Sequence, residues 1–276
     1  MSRGIDSEVV VMQTRTDDEV VAQEGEAEKG LVIERRFTTA GADPFDAFDW
    51  IEMSVEIRNP DGSLAHEIHG VQLPSGFAGV PGKVCAQKYL RKAGVPAALR
   101  KVAEDGVPGW LQRSEPDHEK LQTLAPEDRF VGETDGRELF RRLAGTWTYW
   151  GWTHGYFASE ADARAFYDEM AYLIASQRSA PNSPQWFNTG LNWAYGITGP
   201  AQGHHYVDAV TGELNLSKDA YTHPQPHACF IQSVGDSLVG GTESIMGLWN
   251  REALLFKYGS GTGSNFSQDR KSTRLN

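Results

Sequence analysis

Ile51-Glu52-Met53-Ser54-Val55-Glu56-Ile57-Arg58-Asn59-Pro60-Asp61-Gly62 alternates apolar and polar side chains and then breaks on a run of turn formers. A period of two lays Ile51, Met53, Val55 and Ile57 on one face and leaves the other wet, the pattern of a half-buried strand. Asn59 to Gly62 reverses the chain, and a second strand from Leu64 to Val71 would complete a hairpin. A small antiparallel sheet is therefore expected early in the chain. Just upstream, Leu31-Val32-Ile33-Glu34-Arg35-Arg36-Phe37 is also β-rich. Before it, residues 1–30 hold Asp17-Asp18-Glu19, Glu24, Glu26 and Glu28 with little apolar surface to bury, so they read as a disordered acidic tail.

Downstream the spacing turns helical. Lys83 to Ala93 carries Val84, Ala86 and Leu90 at helical intervals and stops at Gly94, with Pro96 beyond. Residues 104–128, with Pro108, Pro116 and Pro126, show no periodicity and read as a loop. Asp135 opens a helix with Glu138 as its capping-box partner and Leu139, Phe140 and Leu143 as its apolar stripe, running on to Trp147 and Trp150. Ser159 caps another, in which Ala163, Phe166, Met170, Leu173 and Ile174 share a face. A third spans Thr242 to Tyr258 and ends at Gly259. Between the second and third lie an irregular stretch to about Pro226 and a short β-like run, Ala228-Cys229-Phe230-Ile231.

Composition narrows the function. The 276 residues carry 26 Lys plus Arg against 37 Asp plus Glu, a net charge of −11, which denies the chain the basic face that nucleic-acid binding needs. No apolar run approaches the length of a membrane span, and the N-terminus lacks a secretory core, so no membrane partner is expected. Two cysteines exclude a disulfide framework and suit the reducing cytoplasm.

Taken singly, the chemical candidates stay ambiguous. Cys229 sits in an apolar run and, taken alone, reads as a small core residue, since a redox role would need a partner thiol. Cys85, between Val84 and Ala86, reads as core. His204, His205, His223 and His227 tempt a metal reading, but Pro224 and Pro226 forbid the helix that would put the last two on one face; no metal site is assigned. Tyr258-Gly259-Ser260-Gly261-Thr262-Gly263-Ser264-Asn265 has more glycine than helix capping needs, so its backbone could approach a phosphate or ribose. It is neither a P-loop nor a dinucleotide fingerprint. Ser183, between Asn182 and Pro184, offers a hydroxyl to a phosphate or merely closes a turn. The Trp147-Thr148-Tyr149-Trp150-Gly151-Trp152 cluster reads as packed core rather than a stacking platform.

Several long stretches, taken together, resemble one family. They are Leu31 to Thr38, Ala180-Pro181-Asn182-Ser183-Pro184-Gln185-Trp186-Phe187-Asn188-Thr189-Gly190, His223-Pro224-Gln225-Pro226-His227-Ala228-Cys229-Phe230-Ile231-Gln232-Ser233, and Phe256 to Ser267. In this order they resemble the N-terminal portion of the vitamin B12-dependent (class II) ribonucleotide reductases. The resemblance implies an α+β N-terminal region leading into the first strands of an incomplete ten-stranded α/β barrel. Residues 31–130 would form the small α+β region, 131–200 a helical region and 201–267 the start of the barrel.

The resemblance also implies roles. Cys229 would be one of a redox-active thiol pair that reduces the ribose of a ribonucleoside diphosphate. Ser183 would contact the substrate phosphate, Ala228 and Cys229 would line the ribose, and Gly261 would let the backbone lie against the nucleotide. Asp236, Ser237 and Leu238 would bind a deoxynucleoside triphosphate effector at a homodimer interface. Adenosylcobalamin would be the radical-forming cofactor, and a thioredoxin-type protein the external reductant. Family members carry the radical cysteine farther along than Asn276, so the expectation is a fragment inactive by itself, with residues 268–276 foreign to the family. The alternative is a non-catalytic nucleotide-binding regulatory module, or an α+β interaction domain that binds no nucleotide.

Overall fold

A computed structural model describes residues 30–266. The expectations for the acidic tail at 1–29 and for residues 268–276 fall outside the described residues. The expected hairpin is present: β1 (Trp50–Arg58) pairs antiparallel with β2 (Leu64–Pro74), and a bulge between Met53 and Val55 bends the ribbon. Val55, Val71 and Leu73 face inward, as the alternation requires, while Glu52, Ser54 and Glu56 face water.

The next helix begins earlier than its apolar spacing predicts. α1 (Val80–Val84) starts with Pro81 in its first turn and widens into a π turn over Cys85–Tyr89; Leu90 is already extended. The chain leaves the helix there because the buried Glu133 carboxylate accepts the Arg91 N–H at 2.7 Å. Short strands follow: β3 (Val95–Pro96), β4 (Leu99–Lys101) and β5 (Ser114–Pro116), then α2 (His118–Thr123) and β6 (Phe130–Val131). Residues 104–128 are thus not a plain loop. They hold β5 and α2, and the two- and three-residue strands in and around them are too short to show a period and are fixed by pairing, β3 with β6 and β4 with β5.

α3 (Gly136–Thr153) and α4 (Glu160–Ala175) start where their caps place them. Asp135 and Glu138 form the capping box, and Ser159 accepts the Asp162 N–H. Leu139, Phe140, Leu143, Ala171 and Ile174 pack under the β1–β2 hairpin with Cys85 and Trp186, making one core. Leu31–Phe37 is not the expected strand. It makes a single bridge, Leu31 to Phe157, and its backbone is otherwise held by side chains: Glu169 accepts the N–H groups of Arg36, Phe37 and Thr38 at 2.9–3.2 Å. A carboxylate on α4 has replaced a neighbouring strand as hydrogen-bond partner.

α5 (Ser183–Asn188) and α6 (Leu191–Tyr195) follow. α6 approaches α3 closely enough that a Cβ on Gly145 would overlap the Trp193 ring. The irregular stretch before Pro226 contains a hairpin, β7 (His205–Val207) with β8 (Leu214–Leu216). Last comes a βαβ unit: β9 (Cys229–Ser233), α7 (Ile245–Lys257) and β10 (Gly261–Asn265), the two strands parallel. Antiparallel strands need only a turn, whereas a parallel pair needs a crossover such as α7. Among the described residues no helix is long and apolar enough to cross a membrane.

Candidate functional site at the start of the parallel strand pair

Ala228 and Cys229 open β9 directly across from Gly261, which opens β10. The Gly261 N–H donates to the Ala228 carbonyl at 2.6 Å, and the register pairs Gly261 with Cys229. A Cβ built on Gly261 would stand 3.4 Å from Cys229 Sγ and 3.6 Å from Ala228 O. Glycine therefore leaves open the space beside the thiol that any other side chain would occupy. Contrary to the core reading, Cys229 is exposed. Alternation explains this: Phe230 and Gln232 turn toward α7, while Cys229 and Ile231 turn away, and Ile231 is 83% exposed. Apolar neighbours could not reveal which face of a two-sided strand the thiol takes.

The strand start is anchored from behind. Gln225 Nε2 donates to both His227 O and Ser260 Oγ at 2.9 Å, the His227 N–H donates to Gln225 Oε1, and Ser260 Oγ donates to His227 O at 3.0 Å. Ser260 is buried, so these bonds hold residues 225–229 against 260–261. Cys85 contrasts with Cys229. It is buried, and desolvation with the nearby Glu133 charge pushes its thiol up to about 12, so it stays a protonated core group.

Ser183 stands on a different element. It is the first residue of α5, and Asn182, not Ser183, is the cap, accepting the Gln185 N–H. The Ser183 hydroxyl lies 3.3 Å from the hydroxyl of Tyr89, which ends the π turn. The far end of α5 reaches the glycine run: Phe187 Cε2 lies 4.0 Å from where a Gly259 Cβ would be. The structure thus brings Ala228, Cys229 and Gly261 together and places Ser183 at the other end of a short helix that touches the same run.

Asp236, Ser237 and Leu238 lie beyond the opposite end of β9, in the turn leading to α7. The Ile245 and Met246 N–H groups donate to the Ser237 and Leu238 carbonyls at 3.0 and 3.1 Å, so this turn closes the start of α7. Cys229 opens the five-residue strand and this turn lies past its other end, with a rise of about 3.3 Å per strand residue. A cavity of about 1070 Å³ flanks the unit on its α7 side, lined by Phe230, Gln232, Arg251, Leu255, Tyr258 and Ser260 among others; Cys229 and Gly261 are not among its lining residues.

The buried pair that supports this region was not anticipated. Arg142 on α3 donates from Nε to Glu133 Oε1 at 2.7 Å, from Nη1 to Thr189 O at 2.7 Å, and from Nη2 to Tyr89 O and Trp186 O at 3.1 and 3.0 Å. Glu133 also accepts the Tyr195 hydroxyl at 2.7 Å. One guanidinium therefore ties together the π turn, α5 and the start of α6. The signal in the sequence was a charged residue three places after Leu139, inside the apolar stripe of α3.

The loop histidines gather no metal centre. His204 Nε2 faces the His223 carbonyl at 2.5 Å, and among the described residues no three His, Cys, Asp or Glu side chains converge on a metal position. A corrin brings its own ring nitrogens to cobalt, and these histidines do not single out a face that fits one.

Residues 51–177 match the family model described as class II vitamin B12-dependent ribonucleotide reductase. The chain is 59% identical over 238 residues to the vitamin B12-dependent ribonucleotide reductase of Bradyrhizobium diazoefficiens, covering 86% of this chain and 19% of that protein. The Agrobacterium fabrum protein of the same name is 59% identical over 237 residues, 85% of this chain and 18% of its own length. That of Streptomyces coelicolor is 31% identical over 253 residues, 90% of this chain and 19% of its length. The chain thus spans about a fifth of the curated relatives it matches. This identity over most of the chain, with the family model over 51–177, shows that the chain belongs to the class II, vitamin B12-dependent ribonucleotide reductase family, of which it matches the N-terminal part.

Proposed function

We propose that this chain supplies one reducing thiol and part of the nucleotide cradle of an adenosylcobalamin-dependent ribonucleoside-diphosphate reductase. The observation that carries the reading is the exposed Cys229 thiol opening a parallel strand opposite Gly261, which leaves the ground beside it clear. In the reaction a C2′–O bond breaks, a C2′–H bond forms and the hydroxyl leaves as water. The two electrons come from Cys229 and a second thiol as they close to a disulfide. Cys85 cannot be that second thiol, because it is sealed in the core away from the strand. The partner is assigned to the part of the relatives' length that this chain does not span, and a thioredoxin-type protein would reopen the disulfide. Adenosylcobalamin, when bound, supplies the radical chemistry.

In this reading β9, α7 and β10 are the first unit of a ten-stranded barrel, and Ala228 and Gly261 bring backbone against the ribose. Ser183 meets the phosphate from α5. Asp236, Ser237 and Leu238 receive a deoxynucleoside triphosphate effector where two subunits meet. The exposed stripe of Met246, Trp249 and Phe256 along α7, 43%, 63% and 59% exposed, supports a homodimer contact there, next to the effector turn. Separation of Cys229 from that turn by a strand length also supports the second reading, a regulatory nucleotide-binding module indifferent to the thiol. Titration of a deoxynucleoside triphosphate and of a ribonucleoside diphosphate into the full-length protein and its Cys229→Ser variant separates the two. The reductase reading predicts turnover that the substitution abolishes while effector affinity is kept. Effector binding with no reduction in the unmodified protein would leave only the regulatory module.

A further inference from the structure

We infer that Tyr89 is a positioning residue for substrate binding, holding the Ser183 hydroxyl so that its proton points at the diphosphate; this rests on the phosphate-binding reading of Ser183. Tyr89 is fixed at three points. Its ring stacks on Trp186 at 5.1 Å and 15°. Its carbonyl accepts from Arg142 Nη2. Its backbone ends a π turn, a distortion that proteins tend to keep where a side chain must be aimed. The hydroxyl that results is half-buried and meets Ser183 Oγ at 3.3 Å.

The chemistry sets the direction of the bond. A serine hydroxyl has one proton and two lone pairs, and a phosphate oxygen only accepts. If serine donates to tyrosine, it has no proton left for the ligand. Phenol is the stronger acid, so the favoured chain runs from Tyr89 O–H to Ser183 Oγ, and from Ser183 O–H to the phosphate. Each link polarises the next. At 3.3 Å the Tyr89–Ser183 contact is longer than a mature hydroxyl–hydroxyl bond and has room to shorten when an anion draws on the serine proton. Trp186 and Arg142 hold the ring and backbone, so the phenol does not need to be ordered on binding.

Steady-state kinetics of the full-length protein with cytidine diphosphate test this in Tyr89→Phe, Ser183→Ala and the double variant. Phenylalanine keeps the ring that stacks on Trp186, and an unchanged melting temperature confirms an intact fold. Loss of one uncharged hydrogen bond to a ground-state contact is expected to raise KM by about threefold to tenfold with kcat unchanged. Because Tyr89 acts through Ser183, the double variant should match Ser183→Ala alone. An unchanged KM in Tyr89→Phe beside a raised KM in Ser183→Ala would overturn the inference and leave the phosphate role of Ser183 standing. Losses that multiply in the double variant would also overturn it, by making the two contacts independent. No effect in either single variant would remove the reading of Ser183 itself.

Discussion

Replacing Arg142 by leucine should be the most damaging single change outside the reacting groups. Its guanidinium and the Glu133 carboxylate are 1% and 0% exposed, so neither charge has water to fall back on. Leucine removes the ion pair, leaves Glu133 charged in the core with only the Tyr195 hydroxyl and the Arg91 N–H, and strips the Thr189, Tyr89 and Trp186 carbonyls of a donor. Breaking a buried pair by removing one partner costs about 3–5 kcal/mol, a large part of the roughly 5–15 kcal/mol that holds a typical domain together. Arg142→Lys keeps the charge but not the fork that serves several acceptors, and should cost about 1–3 kcal/mol. Urea unfolding followed by tryptophan fluorescence reads both, because Trp186 lies at the network. A loss below about 1 kcal/mol for Arg142→Leu, with an unchanged denaturant slope, would refute the view that this pair fastens α5 and the π turn.

Further outcomes follow from single contacts. In the folded chain a maleimide should modify Cys229 rapidly and Cys85 only after denaturation, as peptide mass mapping would show; equal rates would contradict the placement of the two thiols. Gly261→Val should leave the melting temperature within about 2 °C, yet raise KM for the ribonucleoside diphosphate at least about tenfold, since its side chain would fill the space beside Cys229 Sγ. Glu169 is desolvated, which raises its pKa, but the N–H groups of residues 36–38 and the Thr38 hydroxyl outweigh that and hold the carboxyl below its ordinary value. A lowered folded pKa means that the tether of residues 36–38 is at full strength above about 4.5 and weakens as pH falls through the lower folded value. Amide exchange at Arg36, Phe37 and Thr38, corrected for the intrinsic pH dependence, should lose protection across that acid window, and Glu169→Gln should flatten the response.

Strong local signals were legible in the sequence. The alternation from Ile51 to Ile57 gave the hairpin because one face meets a core and the other meets water. Asp135 with Glu138, and Ser159, located α3 and α4 because unsatisfied helix N–H groups need nearby acceptors. The Leu31–Phe37 segment misled because β-rich composition says nothing about the hydrogen-bond partner, here Glu169 from α4. The π turn at Cys85–Tyr89 was hidden because Val84, Ala86 and Leu90 suit several helical registers, and the deciding bond comes from distant Glu133. Residues alone favoured a core place for Cys229, because its neighbours in the run are apolar. The pairing with Gly261 leaves its thiol exposed, which the apolar neighbours did not reveal. Arg142 was visible as a charge in an apolar stripe, but its partners lie as far off as Thr189 and became apparent only in three dimensions.

The most direct test of the central claim is the oxidation state of Cys229 after one turnover. The full-length protein is pre-reduced, freed of external reductant, supplied with adenosylcobalamin, effector and a ribonucleoside diphosphate, then acid-quenched, alkylated and mapped by mass spectrometry. Cys229 should be recovered in a disulfide, in proportion to the deoxynucleotide formed, and Cys85 as a free thiol. Deoxynucleotide formed with Cys229 still free would contradict it.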